Sequence, residues 1–205
     1  MAVSPLRVTM SYETTTLDTF LSEIASQQVA PAGGSSAAVV GAIGTSLCEM
    51  TCIHTIGKDG YSDVESELRS TRSTLTTCRG QLLQLANLDA TVVEELLEAP
   101  GENRQRKMKR SIGVPLTIAQ ACLTVLESAT VVTAKGSDPA LTDAIAGILF
   151  VDAALEAAVL TVRTNLEYIT DTDFIEKIER TLRRIESTAA ETLDGISSNG
   201  LVETL

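Results

Sequence analysis

Residues 30–44 read APAGGSSAAVVGAIG. Pro31 and the Gly33-Gly34 pair mark a turn, and Ser35 or Ser36 then opens a helical run with almost no side chain larger than valine. A helix this thin cannot build a core from its own bulk. Either another backbone comes very close to it, or its amino end holds something. Gly34, Ala37, Ala38, Gly41 and Ala42 form one stripe at helical spacing, with Gly44 near it, so a second helix can approach closely and gain dispersion contacts. The entrance Gly33-Gly34-Ser35-Ser36 presents free N–H groups at a positive helix end, suited to a carboxylate or a carbonyl. No GK[ST] follows and no strand precedes it, so it is neither a P-loop nor a dinucleotide fingerprint.

The rest of the chain is also helical in period. Leu17, Phe20, Leu21 and Ile24 form an i, i+3, i+4, i+7 stripe, with Thr15 and Asp18 as a capping box. The thin helix is expected to run from Ser35 to Thr55 and stop near Gly57. A third is expected over 64–98, ended by Pro100-Gly101, followed by the basic stretch NRQRKMKR. Pro115 reads as a first-turn proline of a helix reaching Lys135, with Gly136 as its stop. Ser137-Asp138-Pro139 starts another, ending near Leu166, and a last one begins around Asp171. Only Val8, Met10 and Tyr12 alternate as a strand would. The expectation is an all-α bundle of long helices whose extra apolar faces pair with a second copy. Residues 1–14 read as an N-terminal arm and residues 15–205 as a single helical domain.

Composition narrows the function. Apolar residues make up 44% of the chain and aromatics 3%, so the core is aliphatic and disorder is not expected. The net charge of −11 disfavours nucleic acid as a partner. Arginine outnumbers lysine by eleven to five in an acidic, threonine-rich chain, which suits a high-salt cytoplasm. No signal-type apolar run opens the sequence, and the most apolar stretch, residues 144–162, is cut by Asp152 and Glu156; a soluble, cytoplasmic protein off the membrane is expected. Cys48, Cys52, Cys78 and Cys122 form no CxxC, and His54 falls on another face from Cys48 and Cys52, so buried thiols are expected rather than a metal site.

Candidate chemistry centres on one acid. Leu75, Cys78, Leu82, Leu85, Asp89, Val92 and Leu96 form an unbroken heptad seam, in which Asp89 occupies a position that should be apolar. A carboxylate there is costly unless paired or protonated, and its raised pKa suits a general base; a structural Asp meeting an arginine is the alternative. Asp152, Glu156 and Arg163 share one helix face, where Arg163 either serves a ligand or forms an intrahelical pair with Glu156 or a neighbouring acid. Asp143 and Asn165 share another face but lie roughly 33 Å apart along the axis. They therefore serve different sites or different subunits. Arg104, Arg106, Lys107, Lys109 and Arg110 are either a solvated face or a receptor for a polyanionic tail.

The order of motifs, PAGGSSAAVVGAIG, IGKDGY, LANLDATVV, VPLTIA, LTDAIAG and VRTNL, resembles the cyclodeaminase/cyclohydrolase family over residues 15–185. The resemblance implies an all-helical fold of its own type, an obligate homodimer and a tetrahydrofolate substrate, with neither metal nor cofactor. Where the family has PGGGSAAA this chain has Ala32, and where it has Asp-x-Asp-Ala this chain has Asn87 and keeps Asp89. Of a GKKKY-like stretch it keeps Lys58 and Tyr61. The expected activity is hydrolysis of methenyltetrahydrofolate to formyltetrahydrofolate, with Asp89 as base and cation stabiliser. Gly33, Gly34, Ser35, Ser36, Lys58, Tyr61, Asp143, Arg163 and Asn165 are expected to bind substrate. The alternatives are a formimidoyltetrahydrofolate cyclodeaminase and an inactive helical dimerisation module. A ferritin-like metal bundle needs Glu-x-x-His pairs, and the chain has one histidine.

Overall fold

The computed structural model describes residues 11–97 and 104–198. Most of the expected arm, the stop at Pro100-Gly101 and the last seven residues lie outside that range. Among the described residues the fold is all-helical: α1 (Leu17–Ile24), α2 (Gly33–Thr55), a 3-10 turn (Ser62–Val64), α3 (Glu65–Leu97), α4 (Arg104–Lys135), α5 (Asp138–Leu166) and α6 (Thr172–Ile196).

Consecutive long helices run antiparallel, and α2 lies in the crease between α3 and α5. Its stripe of small residues lets α5 come against its backbone. A Cβ on Gly147 would stand 2.6 Å from the Gly44 carbonyl oxygen, and one on Gly44 would strike the Gly147 carbonyl and stand 2.7 Å from Val151 Cγ2. No side chain fits between the two backbones at that crossing. Further along, Thr51 donates its hydroxyl to Ala140 O at 3.0 Å. On the other side Gly41 faces Leu82, and Glu49 accepts from Thr76 Oγ1 at 2.8 Å and from Arg79 Nε at 3.0 Å, tying α2 to α3. The core is aliphatic, with Leu68, Leu75, Leu82, Ile112, Ile118, Leu126, Ile148 and Leu182 fully buried. The four cysteines are free and buried within it. Burial pushes the thiols of Cys48 and Cys122 up to about 12, so both stay protonated and behave as small apolar groups.

Two helix starts differ from the sequence reading. α1 is capped by Thr16, whose Oγ1 accepts from Thr19 N at 3.2 Å, rather than by Thr15. α4 begins at Arg104, so Pro115 sits inside it and not in its first turn. Pro115 forfeits one ladder bond, to the carbonyl of Ser111. The long apolar face on either side of it, from Met108 and Ile112 to Ile118 and Cys122, is buried and carries the helix through. The basic stretch thereby becomes the first turns of α4. Lys107 Nζ donates to Glu95 O at 2.8 Å, Arg110 pairs with Glu95 at 2.8 Å, and Lys109 pairs with Asp171 at 2.5 Å and lies over the Phe174 ring. Three of these cations therefore anchor α3 and α6 and are not held free for a polyanionic tail.

By length and composition α2, α4 and α5 could each cross a membrane, α5 in spite of Asp152 and Glu156. In the fold about half of each apolar window is buried against the other helices: 56%, 50% and 44% respectively. Apolar side chains of α2 and α5 near their crossing remain uncovered, with Ile43 47% and Phe150 43% exposed.

Candidate active site

The amino end of α2 has no cap of its own. Ala32, the N-cap residue, offers no side-chain acceptor, and Ser36 turns its hydroxyl back to Ala32 O at 2.8 Å. The acceptor comes from α3. Asp89 is 6% exposed, and its Oδ2 takes a hydrogen bond from Ser35 Oγ at 2.9 Å. The Ser35 backbone N–H donates to the same carboxylate. Ser35 is the third residue of the helix, the position whose N–H an N-cap side chain ordinarily satisfies. The glycine pair explains how the acid gets so close. A Cβ on Gly34 would stand 2.6 Å from Asp89 Cγ, whereas Gly33 has nothing within 4 Å of such an atom and borders open space.

Burial raises the Asp89 carboxyl from its ordinary value, and the two Ser35 hydrogen bonds pull it part of the way back. The partner of this buried acid is thus a serine and a helix end, not the arginine that a structural reading anticipates. Among the described residues no positive side chain neutralises it, so the site favours a positively charged group brought to it from outside. Asn87, where the resemblance places a second acid, faces elsewhere. It accepts Tyr12 N–H at 2.7 Å and donates to Leu83 O at 3.1 Å. Tyr12 packs edge-on against Phe20, with ring centroids 5.0 Å apart. Burial, helped by Glu23, Glu94 and Asp89, pushes its phenol up to about 12.

The other expected site residues fall into two further places. Lys58, in the turn after α2, holds its ammonium 5.8 Å from the Tyr61 ring centroid. Lys58 and Asp143 line one cleft of about 240 Å³ between the carboxyl end of α2 and the amino end of α5, together with Met50, His54, Ser137, Pro139 and Ala140. The twenty residues from Gly34 to His54 along α2 place that cleft about 30 Å from Asp89 at helical rise. Arg163 lies in a cavity of about 420 Å³ between α5 and α6, lined also by Asp152, Glu156 and Glu186. Its guanidinium forms a two-pronged pair with Glu186 at 2.7 and 2.8 Å, which raises it further, so the pairing expected with Glu156 is replaced by one across helices. Asn165 is half-buried in the last turn of α5. Within one chain Gly34, Ser35 and Asp89 come together, and Lys58 comes together with Asp143; Arg163 stands apart with its α6 partner.

Sequence reasoning weighed His54 only as a metal ligand and passed over Ser137. Ser137 was visible as a helix start, but nothing local placed it opposite the end of α2. Glu186 lay unmarked among the other acids of α6.

The family model described as formiminotransferase-cyclodeaminase matches residues 16–184. The chain is 31% identical over 189 residues to methenyltetrahydrofolate cyclohydrolase of Methylorubrum extorquens, covering 86% of this chain and 89% of that one. It is 27% identical to the formimidoyltransferase-cyclodeaminase of Mus musculus, of which it spans 35%. The crystal structure of formiminotetrahydrofolate cyclodeaminase from Thermotoga maritima superposes with a TM-score of 0.88 at 23% identity, over 91% of this chain and 96% of that one, and shares the fold. The helices, the glycine-entered α2 and these matches agree: the chain belongs to the formiminotransferase-cyclodeaminase family.

Proposed function

We propose that this protein hydrolyses methenyltetrahydrofolate to formyltetrahydrofolate, with Asp89 as general base and stabiliser of the substrate cation. The observation that carries the chemistry is a buried carboxylate held by Ser35 at the end of α2 and lacking a cationic partner among the described residues. A delocalised cation between two nitrogens supplies the missing charge, and open space beside Gly33 gives an approach. Water adds its oxygen to the bridging carbon and gives one proton to Asp89. One carbon–nitrogen bond then breaks, Asp89 returns that proton to the departing ring nitrogen, and the second proton of water leaves as the formyl C=O forms. The same carbon and the same acid would serve a cyclodeaminase acting on a formimidoyl group. The 31% identity to a cyclohydrolase, against 27% to a transferase-cyclodeaminase, favours hydrolysis.

Two features favour a homodimer. The apolar face of α2 and α5 is uncovered, and Asp89 and the Lys58–Asp143 cleft are too far apart to hold one small molecule in a single chain. A second copy packed antiparallel across that face brings the Asp89 end of one chain to the Lys58 end of the other. We read the protein as cytoplasmic and as using no metal or cofactor, consistent with an acidic chain whose apolar helices pack on one another. The net charge makes nucleic acid a poor partner.

The test is the fall of methenyltetrahydrofolate absorbance with and without protein, for the wild type and Asp89→Asn. Acceleration by the wild type and its loss in a variant that melts within a few degrees of it supports the reading. If the wild type accelerates only ammonia release from formimidoyltetrahydrofolate, the cyclodeaminase takes its place. A protein that accelerates neither and whose melting is unmoved by folinic acid is the dimerisation module.

A further inference from the structure

Tyr12 comes from far along the chain to the Asp89 end of α2 and is held there in three ways. Its backbone N–H donates to Asn87 Oδ1 at 2.7 Å, across 75 positions. The Ser11 carbonyl accepts from Thr14 N at 3.0 Å and from Thr15 N at 3.2 Å, closing a turn around it. Its ring packs edge-on against Phe20, which is itself buried. Asn87 also donates to Leu83 O at 3.1 Å, so the acceptor that Tyr12 uses is fixed in turn.

The periodicity of α3 says what Tyr12 covers. Thr76 and Arg79, which donate to Glu49 of α2, start a row that continues through Leu83, Asn87, Ala90 and Glu94 at steps of three or four residues. α2 lies along the first part of that row and begins at Gly33. Past its first residue the row is taken over by Tyr12, bound at Asn87. Asp89 lies on the buried face beside the row. Of titratable groups, Glu23 of α1 and Glu94 of α3 share this corner with Tyr12 and Asp89, while α2 meets Asp89 with Ser35. Burial and the three acids push the phenol up to about 12, so Tyr12 is a neutral body beside the carboxylate. Gly33 borders open space, which leaves an approach that Tyr12 does not fill.

We propose that Tyr12, tethered by Asn87, is a positioning residue for the reaction at Asp89: it walls one side of the carboxylate against water, so that Asp89 meets the substrate cation as a poorly hydrated base. The inference rests on the role given to Asp89 above. A carboxylate stripped of water is both a stronger base and a better counter-charge than a hydrated one. Asn87 then has a task of its own, holding the wall rather than supplying a second acid.

Carboxyl carbon-13 NMR of aspartate-labelled protein reads the wall without turnover, with the Asp89 resonance identified by its loss in Asp89→Asn. Tyr12→Ala should lower the Asp89 titration by about half a pH unit or more, because water then reaches the carboxylate. Asn87→Ala should move it in the same direction, since the tether is lost while a strong helix former enters α3. Tyr12→Phe should keep the wild-type titration, because the phenol carries no charge at those pH values. The acid limb of kcat/KM for methenyltetrahydrofolate should shift in the same order. A Tyr12 that serves stability alone would lower the melting temperature of Tyr12→Ala and leave the titration and the limb of both alanine variants in place, and that result overturns the proposal. Should Tyr12→Ala not fold, Asn87→Ala decides it. A wild type that accelerates no loss of methenyltetrahydrofolate overturns the hydrolysis, and with it any part of Tyr12 in that reaction, whereas an unmoved titration overturns Tyr12 alone.

Discussion

Ser35 and Asp89 are 54 positions apart in sequence, and the behaviour of the site turns on the two hydrogen bonds between them. Burial opposes ionisation of Asp89 and Ser35 favours it. If the ionised form is the base, the acid limb of kcat/KM lies above the ordinary carboxylate value of about 3.9. In Ser35→Ala the hydroxyl bond is gone and burial is unchanged, so that limb should move to higher pH, read directly from the rate profile. The same sign governs stability. A carboxyl raised on folding is held protonated more tightly by the native state, so its contribution declines as pH climbs from the unfolded value through the folded one. Asp89→Asn should remove that decline. It still offers an oxygen to the Ser35 N–H, whereas Asp89→Leu forfeits a cap worth about 0.5–2 kcal/mol and leaves the Ser35 hydroxyl stranded. Denaturant melts at two pH values separate the two variants. Asp89 was legible because it breaks a heptad of apolar positions. Its partner was not, because a serine near the start of a helix looks the same whether it binds a ligand, caps its own helix or receives an acid from another.

Among the elements, α2 and α5 were tied by a pattern that the chain displays openly, small residues at helical spacing. What the pattern could not say is which glycines face a backbone and which face nothing. At Gly44 a methyl group would push against the Gly147 carbonyl and Val151 Cγ2, neither of which is a flexible chain end. Gly44→Ala should therefore separate the helices and cost about 1–3 kcal/mol, as overpacking does. Gly80, in the middle of α3, meets nothing within 4 Å. Gly80→Ala should stabilise by about 0.5–1 kcal/mol through helix propensity alone, giving a rise in melting temperature where Gly44→Ala gives a fall. The misplaced start of α4 has a similar physical origin. A proline is read locally as a first-turn signal, but tertiary burial of Met108, Ile112 and Ile118 outweighs the one backbone bond that Pro115 forfeits.

For the whole molecule the decisive quantity is the apolar surface left over. Val40 and Ile43 on α2 and Phe150 on α5 are exposed close to the Gly44–Gly147 crossing, where the two helices touch, so they lie near one another and are not scattered. Isolated exposed aliphatics are normal on any protein, whereas a contiguous face of this kind marks an interface. A twofold pairing uses each such residue twice, so a single charge placed at its centre is met by its own image and repels itself. Ile43→Asp should therefore turn a dimer into a monomer by light scattering. It should not unfold the chain, because the side chain is already half in water. If the site is shared between copies, activity should vanish with the dimer and reappear as protein concentration is raised towards the variant's dissociation constant. A monomer with full activity would place the chemistry within one chain and leave the cleft beyond Thr55 with another role. A rise in ionic strength should strengthen the wild-type pairing, because two chains of net charge −11 repel at long range and salt removes that repulsion while leaving the apolar contact intact.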